Sequence, residues 1–223
     1  MPQDWTKATL AKTIDHTVLK PNATGEQIRE LCHEAAVHHF ASVCVNPCHV
    51  SLAVRELSGS DVSVCTVIGF PLGANATAIK AEEARLACKQ GAKEIDMVMN
   101  IGWAKAGDWK AVEDDIRAVV KASDGNTVKV IIETCLLTNA EKERSCDAIR
   151  AAGAAFVKTS TGFSTDGATR DDIRLLRKCA GSDLKVKASG GIRSCRDALA
   201  LLEAGADRIG SSSGVAILAE LPE

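Results

Sequence analysis

Three stretches, QGAKEIDMV at 90–98, AGAAFVKTS at 152–160 and AGADRIGSS at 204–212, decide how this chain folds. Each has a Gly-Ala pair, one or two spacer residues and then an apolar run. Each follows a segment with helical spacing of apolar residues: EEARLACKQ at 82–90, KERSCDAIRAA at 142–152 and RDALALLEA at 196–204. The glycine reads as a left-handed helix C-cap, and the run after it as a short buried strand. Helix, cap and strand, repeated, is the pattern of βα units in a parallel sheet.

Working outward gives eight strand candidates: 13–17, 41–46, 62–68, 94–100, 127–133, 155–159, 184–188 and 207–210. Amphipathic helices are expected at 25–39, 47–58, 77–90, 109–122, 139–151, 169–179, 194–203 and 213–220. Polar first turns or caps stand at Asn22–Thr24, Thr77, Thr138–Asn139 and Ser194. No linker or low-complexity segment divides residues 1–223. The expected fold is therefore one α/β domain, a closed TIM (β/α)8 barrel, with an open doubly wound sheet as the alternative.

Composition agrees. Of the 223 residues, 46% are hydrophobic but only 3% aromatic, which suits small and branched side chains packed between helices and parallel strands. The net charge is −2, with no basic tract, so nucleic acid is not an expected partner. No run approaches the roughly 18 apolar residues of a membrane span, and the first residues carry no apolar leader, so no membrane partner and a cytoplasmic setting are expected. Nine cysteines without a CxxC spacing argue against a disulfide framework or a zinc site. Cys44, Cys65 and Cys135 read as small buried hydrophobes. The five histidines form no HxxxH pair, so no metal and no cofactor are called for; His16 reads as a hydrogen-bonded structural residue.

Three charges interrupt apolar strands: Asp96, Lys158 and Lys187. An isolated charge inside a packed barrel is costly, and one that faces the helices or a strand end is relieved of that cost. Glu94 and Lys185, at strand bases, fit that plainer reading. Polar residues toward the C-terminal ends of barrel strands instead read as catalytic. A free lysine, with a pKa of about 10.4, is an ammonium at neutral pH and cannot attack a carbonyl. Burial and a second ammonium nearby both favour the neutral amine. Two lysines and a carboxylate are thus a means of making an amine nucleophile without a metal. Gly190–Gly191 and Gly210 to Ser213 each lie between a strand and a helix, at the last two βα loops, where barrels often bind phosphate. TSTGFS, with Gly162, supplies a third such loop.

IDHTVLKP at 14–21, EIDMVMNIG at 94–102, FVKTSTGF at 156–163 and VKASGGIRS at 186–194 resemble the deoxyribose-phosphate aldolase family, as do VCVNP at 43–47 and FPLGA at 70–74. The resemblance implies Lys158 as the Schiff-base nucleophile, Lys187 as the lysine that lowers its pKa and Asp96 as the acid–base partner. It implies substrate contacts at Asp15, Cys44, Thr159, Gly162, Gly190, Gly191, Ser212 and Ser213. The implied substrate is a small phosphorylated sugar, 2-deoxy-D-ribose 5-phosphate, cleaved reversibly to glyceraldehyde 3-phosphate and acetaldehyde, and a homodimer is the implied assembly. Some members use a C-terminal tyrosine in proton transfer. This sequence, ending Leu221–Pro222–Glu223, has no tyrosine, so proton exchange is expected to rest on Asp96, Lys187 and water. Two alternatives stay open: a Schiff-base aldolase of keto sugar acids, with Arg193 on the carboxylate, and a non-catalytic phosphosugar-binding barrel.

Overall fold

The computed structural model describes residues 5–221; Pro222 and Glu223 of the C-terminal expectation lie outside them. Eight parallel strands close into a barrel in sequence order: β1 (Ile14–Val18), β2 (Ser42–Val45), β3 (Ser63–Ile68), β4 (Glu94–Val98), β5 (Thr127–Ile131), β6 (Phe156–Lys158), β7 (Lys185–Ser189) and β8 (Arg208–Ser211). Closure is made by β1 against β8, with Ile14 opposite Ile209 and Asp15 opposite Gly210. The closed barrel, not the open sheet, is the observed architecture. Among the described residues, no helix is long and apolar enough to cross a membrane.

The helices are α1 (Lys7–Ala11), α2 (Gly25–His38), α3 (Val50–Glu56), α4 (Thr77–Lys89), α5 (Ile101–Ala106), α6 (Trp109–Ala122), α7 (Asn139–Ala152), α8 (Arg170–Ala180), α9 (Cys195–Glu203) and α10 (Gly214–Ala219). Thr24, Thr138 and Ser194 cap α2, α7 and α9 through their side chains. Thr77 stands in the polar first turn. It is the first residue of α4, and its hydroxyl bonds to Asp115 instead of capping. Two short helices, α1 and α5, were not expected. Asn100, assigned above to a strand, leaves β4 and caps α5 by accepting from the Trp103 N–H. The helix expected over 47–58 begins as a 3-10 turn at Pro47–His49. The glycines of the repeat, Gly91, Gly153 and Gly205, all have positive φ, and a Cβ on Gly205 would meet Arg177 at 2.8 Å.

What positions the site is the period-2 alternation along the strands. Ile95 and Met97, Val128 and Val130, Val157, and Val186 and Ala188 belong to one hydrophobic core between sheet and helices. The amphipathic helices complete it: α6 contributes Val112, Ile116 and Val119, and α8 contributes Ile173 and Leu176. Each such side chain stabilises the fold by about 1.5–3 kcal/mol when fully buried. The residues between these apolar ones, Asp96, Lys129, Lys158 and Lys187, therefore face the barrel axis.

Candidate active site

Lys158 on β6 and Lys187 on β7 are register partners, and their side chains run along the same inner face. Both ammonium nitrogens lie 2.7 Å from Oδ2 of Asp96 on β4. The other oxygen, Oδ1, accepts from Lys129 Nζ at 2.8 Å and from the Cys65 thiol at 3.2 Å. Asp15 pairs with Lys187 at 2.5 Å and with Arg208 at 2.6 Å, and accepts from Ser42. Glu94 pairs with Lys129 at 2.5 Å and reaches Arg208 at 3.5 Å. Lys129 and Lys187 have no exposed side-chain surface, whereas Lys158 keeps 4%.

Lys129, Lys187, Asp15 and Asp96 hold one another in their ionised forms. Burial works against the Lys187 ammonium, but the carboxylates of Asp15 and Asp96 outweigh it and hold its pKa above the usual lysine range. The same balance, dominated by Asp96 once burial is overcome, keeps Lys129 charged. Burial would raise the Asp96 and Asp15 carboxyls; the surrounding lysines, with Arg208 for Asp15, instead hold both well below the carboxylate range. The two-lysine arrangement expected from the sequence is present, but it is bridged: a carboxylate stands between the like charges and offsets their repulsion.

Cys44 and Cys65 are register partners on β2 and β3 and are fully buried. With Leu19, Val67 and Phe70 they form an apolar wall. The neighbouring Cys65 thiol lowers the Cys44 thiol pKa, whereas burial pushes Cys65 up. Cys135, read above as buried, is half-buried at the rim and bonds Ser164, because it follows the end of β5. Sulfurs of Cys44 and Cys65 and an oxygen of Asp96 lie within 4.8 Å of one another, a spacing open to a soft metal. The three ammonium groups already on that carboxylate oppose a further cation.

The glycine and serine loops converge at the C-terminal ends of β6, β7 and β8. Gly162 and Gly190 both have positive φ and touch: a Cβ on Gly190 would lie 3.6 Å from the Gly162 Cα. Gly191 lines a cleft of about 260 Å³ with Gly190, Asp166 and Arg170. Ser211, buried, donates to the Ile192 carbonyl and accepts from the Ser213 N–H, tying the last two loops together. Ser212 is exposed. The Thr159 hydroxyl is used inside the sheet, donating to the Ser189 carbonyl and accepting from the Ser189 N–H. A larger cleft, about 540 Å³ among α1, α2 and α10, lies toward the N-terminal end of the barrel and holds none of these residues.

Thus Asp15, Cys44, Asp96, Lys158 and Lys187 come together within one interior network, and the glycine loops stand at its mouth. Glu94 corrects the sequence reading. It is buried in the ion network and not at a solvent-reaching strand base, because its partners Lys129 and Arg208 also point inward. Lys185 is exposed, as expected. His16 bonds Glu34 at 2.6 Å and holds β1 to α2. Sequence reasoning missed Lys129, a charge inside the apolar run VKVII of the same kind as Asp96; applying that test to β5 would have found it. It also missed Arg208 and Glu133.

Residues 9–220 match the model of the DeoC/LacD family of aldolases. The chain is 58% identical over 209 residues to a deoxyribose-phosphate aldolase of Streptococcus sanguinis (strain SK36), covering 94% of this chain and 95% of the relative. It is 60% identical over 205 residues to one from Streptococcus mutans, covering 92% and 93%. Among solved structures, the tetrameric deoxyribose phosphate aldolase from Aeropyrum pernix superposes with a TM-score of 0.91 at 37% identity, covering 96% and 91%. An aldolase named QR15 gives a TM-score of 0.91 at 41% identity, covering 95% of each chain.

Proposed function

Because this chain belongs to the DeoC/LacD family of aldolases, and is a lyase, we propose that it reversibly cleaves 2-deoxy-D-ribose 5-phosphate to glyceraldehyde 3-phosphate and acetaldehyde through a Schiff base on Lys158. The observation that carries this reading is the arrangement around Asp96 Oδ2, with Lys158 and Lys187 both at 2.7 Å. Four basic groups (Lys129, Lys158, Lys187, Arg208) meet three carboxylates (Asp15, Glu94, Asp96) in this network. Formal neutrality is reached when one cation gives up its proton. Of the three lysines, Lys158 alone keeps exposed surface, so it is the amine a carbonyl can reach.

Lys158 attacks C1 of the open-chain sugar, and loss of water gives the iminium. The C2–C3 bond then breaks, its electron pair moves toward the nitrogen, and the C3 hydroxyl loses its proton as glyceraldehyde 3-phosphate leaves. The enamine is protonated at C2 and hydrolysed to acetaldehyde. Lys187 gives a proton to the hydroxide that leaves as the iminium forms; the amine so freed takes the C3 hydroxyl proton and passes it to C2, and hydrolysis of the iminium refills it. Asp96, held ionised, orients the relay and does not store the proton. Gly162, Gly190, Gly191, Ser212 and Ser213 bind the phosphate through N–H and hydroxyl donors, supplying binding energy remote from the reacting carbons. Thr159 acts as a brace beneath them, and Cys44 forms part of the wall. A keto sugar acid would need Arg193, which is exposed. Assembly as a homodimer belongs to the same reading, and light scattering checks it.

Borohydride reduction in the presence of acetaldehyde tests the mechanism. A two-carbon adduct should form on Lys158 and vanish in Lys158→Leu, together with turnover. Activity retained by a folded Lys158→Leu protein rejects it, and a non-catalytic phosphosugar-binding barrel would form no adduct at all.

A further inference from the structure

Three non-glycine residues among those described have positive φ: His39, Asp124 and Glu133. His39 and Asp124 are exposed, whereas Glu133 is buried at 2% exposure with φ 53° and ψ 69°. A residue with a Cβ takes this conformation only where its surroundings impose it. Here both neighbours are pinned. The Ile132 N–H donates to the Lys158 carbonyl at 3.0 Å and the Thr134 N–H to the Thr159 carbonyl at 2.9 Å. The turn between them swings the Glu133 side chain over the loop that follows β6. Its two carboxylate oxygens lie 3.2 and 3.3 Å from the Thr161 N, and Oε2 accepts the Thr161 hydroxyl at 2.5 Å. The Thr161 hydroxyl oxygen in turn accepts from the Phe163 N–H at 3.0 Å. The residues on both sides of Gly162 are thereby fixed, and Gly162 is the residue that meets Gly190 across the two loops.

We propose that Glu133 is a positioning residue that sets the preference for phosphorylated over unphosphorylated substrates. This rests on the functional reading above, in which Gly162 belongs to the phosphate site. Glu133 touches no substrate. It orders the Thr161–Phe163 turn, whose flanking N–H groups are thereby used, so that the Gly162 N–H is the donor that faces the anion before it arrives. The carboxylate is suited to this because it accepts an N–H and an O–H together, and charge-assisted bonds of this kind are the stronger ones. The left-handed backbone at Glu133 belongs to the same device, since an extended residue there would continue β5 and point the side chain away.

The test compares kcat/KM for 2-deoxyribose 5-phosphate with that for 2-deoxyribose. Glu133→Ala should lower the ratio by about tenfold or more, mainly through KM for the phosphorylated sugar, the scale expected when charge-assisted bonds are lost. Thr161→Val should lower it similarly, with the double variant no worse than either alone; it serves if Glu133→Ala does not fold. Glu133→Gln should recover most of the ratio, because one amide oxygen accepts from both the N–H and the hydroxyl. An unchanged ratio in a folded, active Glu133→Ala or Thr161→Val protein overturns the inference and leaves the functional reading standing. A wild-type protein that cleaves neither sugar overturns both.

Discussion

Lys187 and Asp15 form a fully buried ion pair at 2.5 Å, and through it the ammonium beside Lys158 is anchored to the strand on which the barrel closes. Lys187 thus bridges two carboxylates, Asp15 and Asp96. Its role follows from that double pairing. In the proposed relay its ammonium is restored at the end of each turnover, and the pairing keeps Asp96 aimed at Lys158.

Asp96→Asn should be severe for both activity and stability. The amide would leave Lys129, Lys158 and Lys187 facing one another with one carboxylate fewer. Breaking a buried pair by removing one partner costs about 3–5 kcal/mol. Urea unfolding should show that loss, and kcat should fall by about a hundredfold or more, the scale of a positioned acid–base group. A variant as stable as wild type would show that the lysines are not paired as described.

Lys129→Met separates orientation from nucleophilicity. Lys129 holds Oδ1 of Asp96 and Glu94 but lies deeper than Lys158. The borohydride adduct on Lys158 should still form, while kcat for cleavage falls. Loss of the adduct itself, in a folded protein, would place Lys129 in imine formation.

Acid should act on this protein in two steps. Burial pushes the His16 imidazole below its usual value, against the opposing pull of Glu34. The folded state therefore favours neutral His16, a contribution complete above about pH 6.5 and lost as the pH falls below it. Asp15 and Asp96 have depressed folded values, so theirs is complete above the unfolded carboxylate value of about 3.9 and is lost only in stronger acid. Urea midpoints measured from pH 8 to pH 3 should decline first near pH 6, and His16→Asn should remove that first decline. A His16→Asn profile identical in shape to wild type would refute the assignment.

Lys80→Met tests a second buried pair, away from Lys158 and Lys187. Lys80 donates to Asp115 at 2.7 Å and to the Val98 carbonyl at 3.0 Å, joining α4, α6 and β4. Leaving Asp115 unpaired should cost about 3–5 kcal/mol, and adding Asp115→Leu should restore much of it. The kcat of the folded fraction should stay within about twofold of wild type, well under the tenfold that 1.4 kcal/mol represents.

Cys44→Ser should slow inactivation by reactive aldehydes formed from acetaldehyde. The neighbouring Cys65 lowers the Cys44 thiol pKa while burial raises that of Cys65, which makes Cys44 the better nucleophile of the two. Equal inactivation rates in wild type and Cys44→Ser, followed by residual activity, would exclude this thiol as the target.

The barrel and its candidate nucleophile were legible in one dimension because their causes are local. Helix spacing, the Gly-Ala caps before β4, β6 and β8, and a lysine set in the apolar run Phe156–Val157 each act over a few neighbouring residues. What only the tertiary structure decided is which charges meet. Period-2 alternation assigns Asp96, Lys129, Lys158 and Lys187 to a common kind of position, but closure and register determine that they share one side of the axis and that Lys158 stands beside Lys187. The same holds for Glu94 and Arg208, which resemble solvent-reaching ends of strands until the barrel turns them inward. Glu133 is the furthest case: its role depends on a backbone angle imposed by β6, and no local pattern in IIETC announces it. Sequence specifies what each segment prefers. Three-dimensional closure specifies which preferences are left unsatisfied together, and in this protein those leftover charges form the proposed reaction centre.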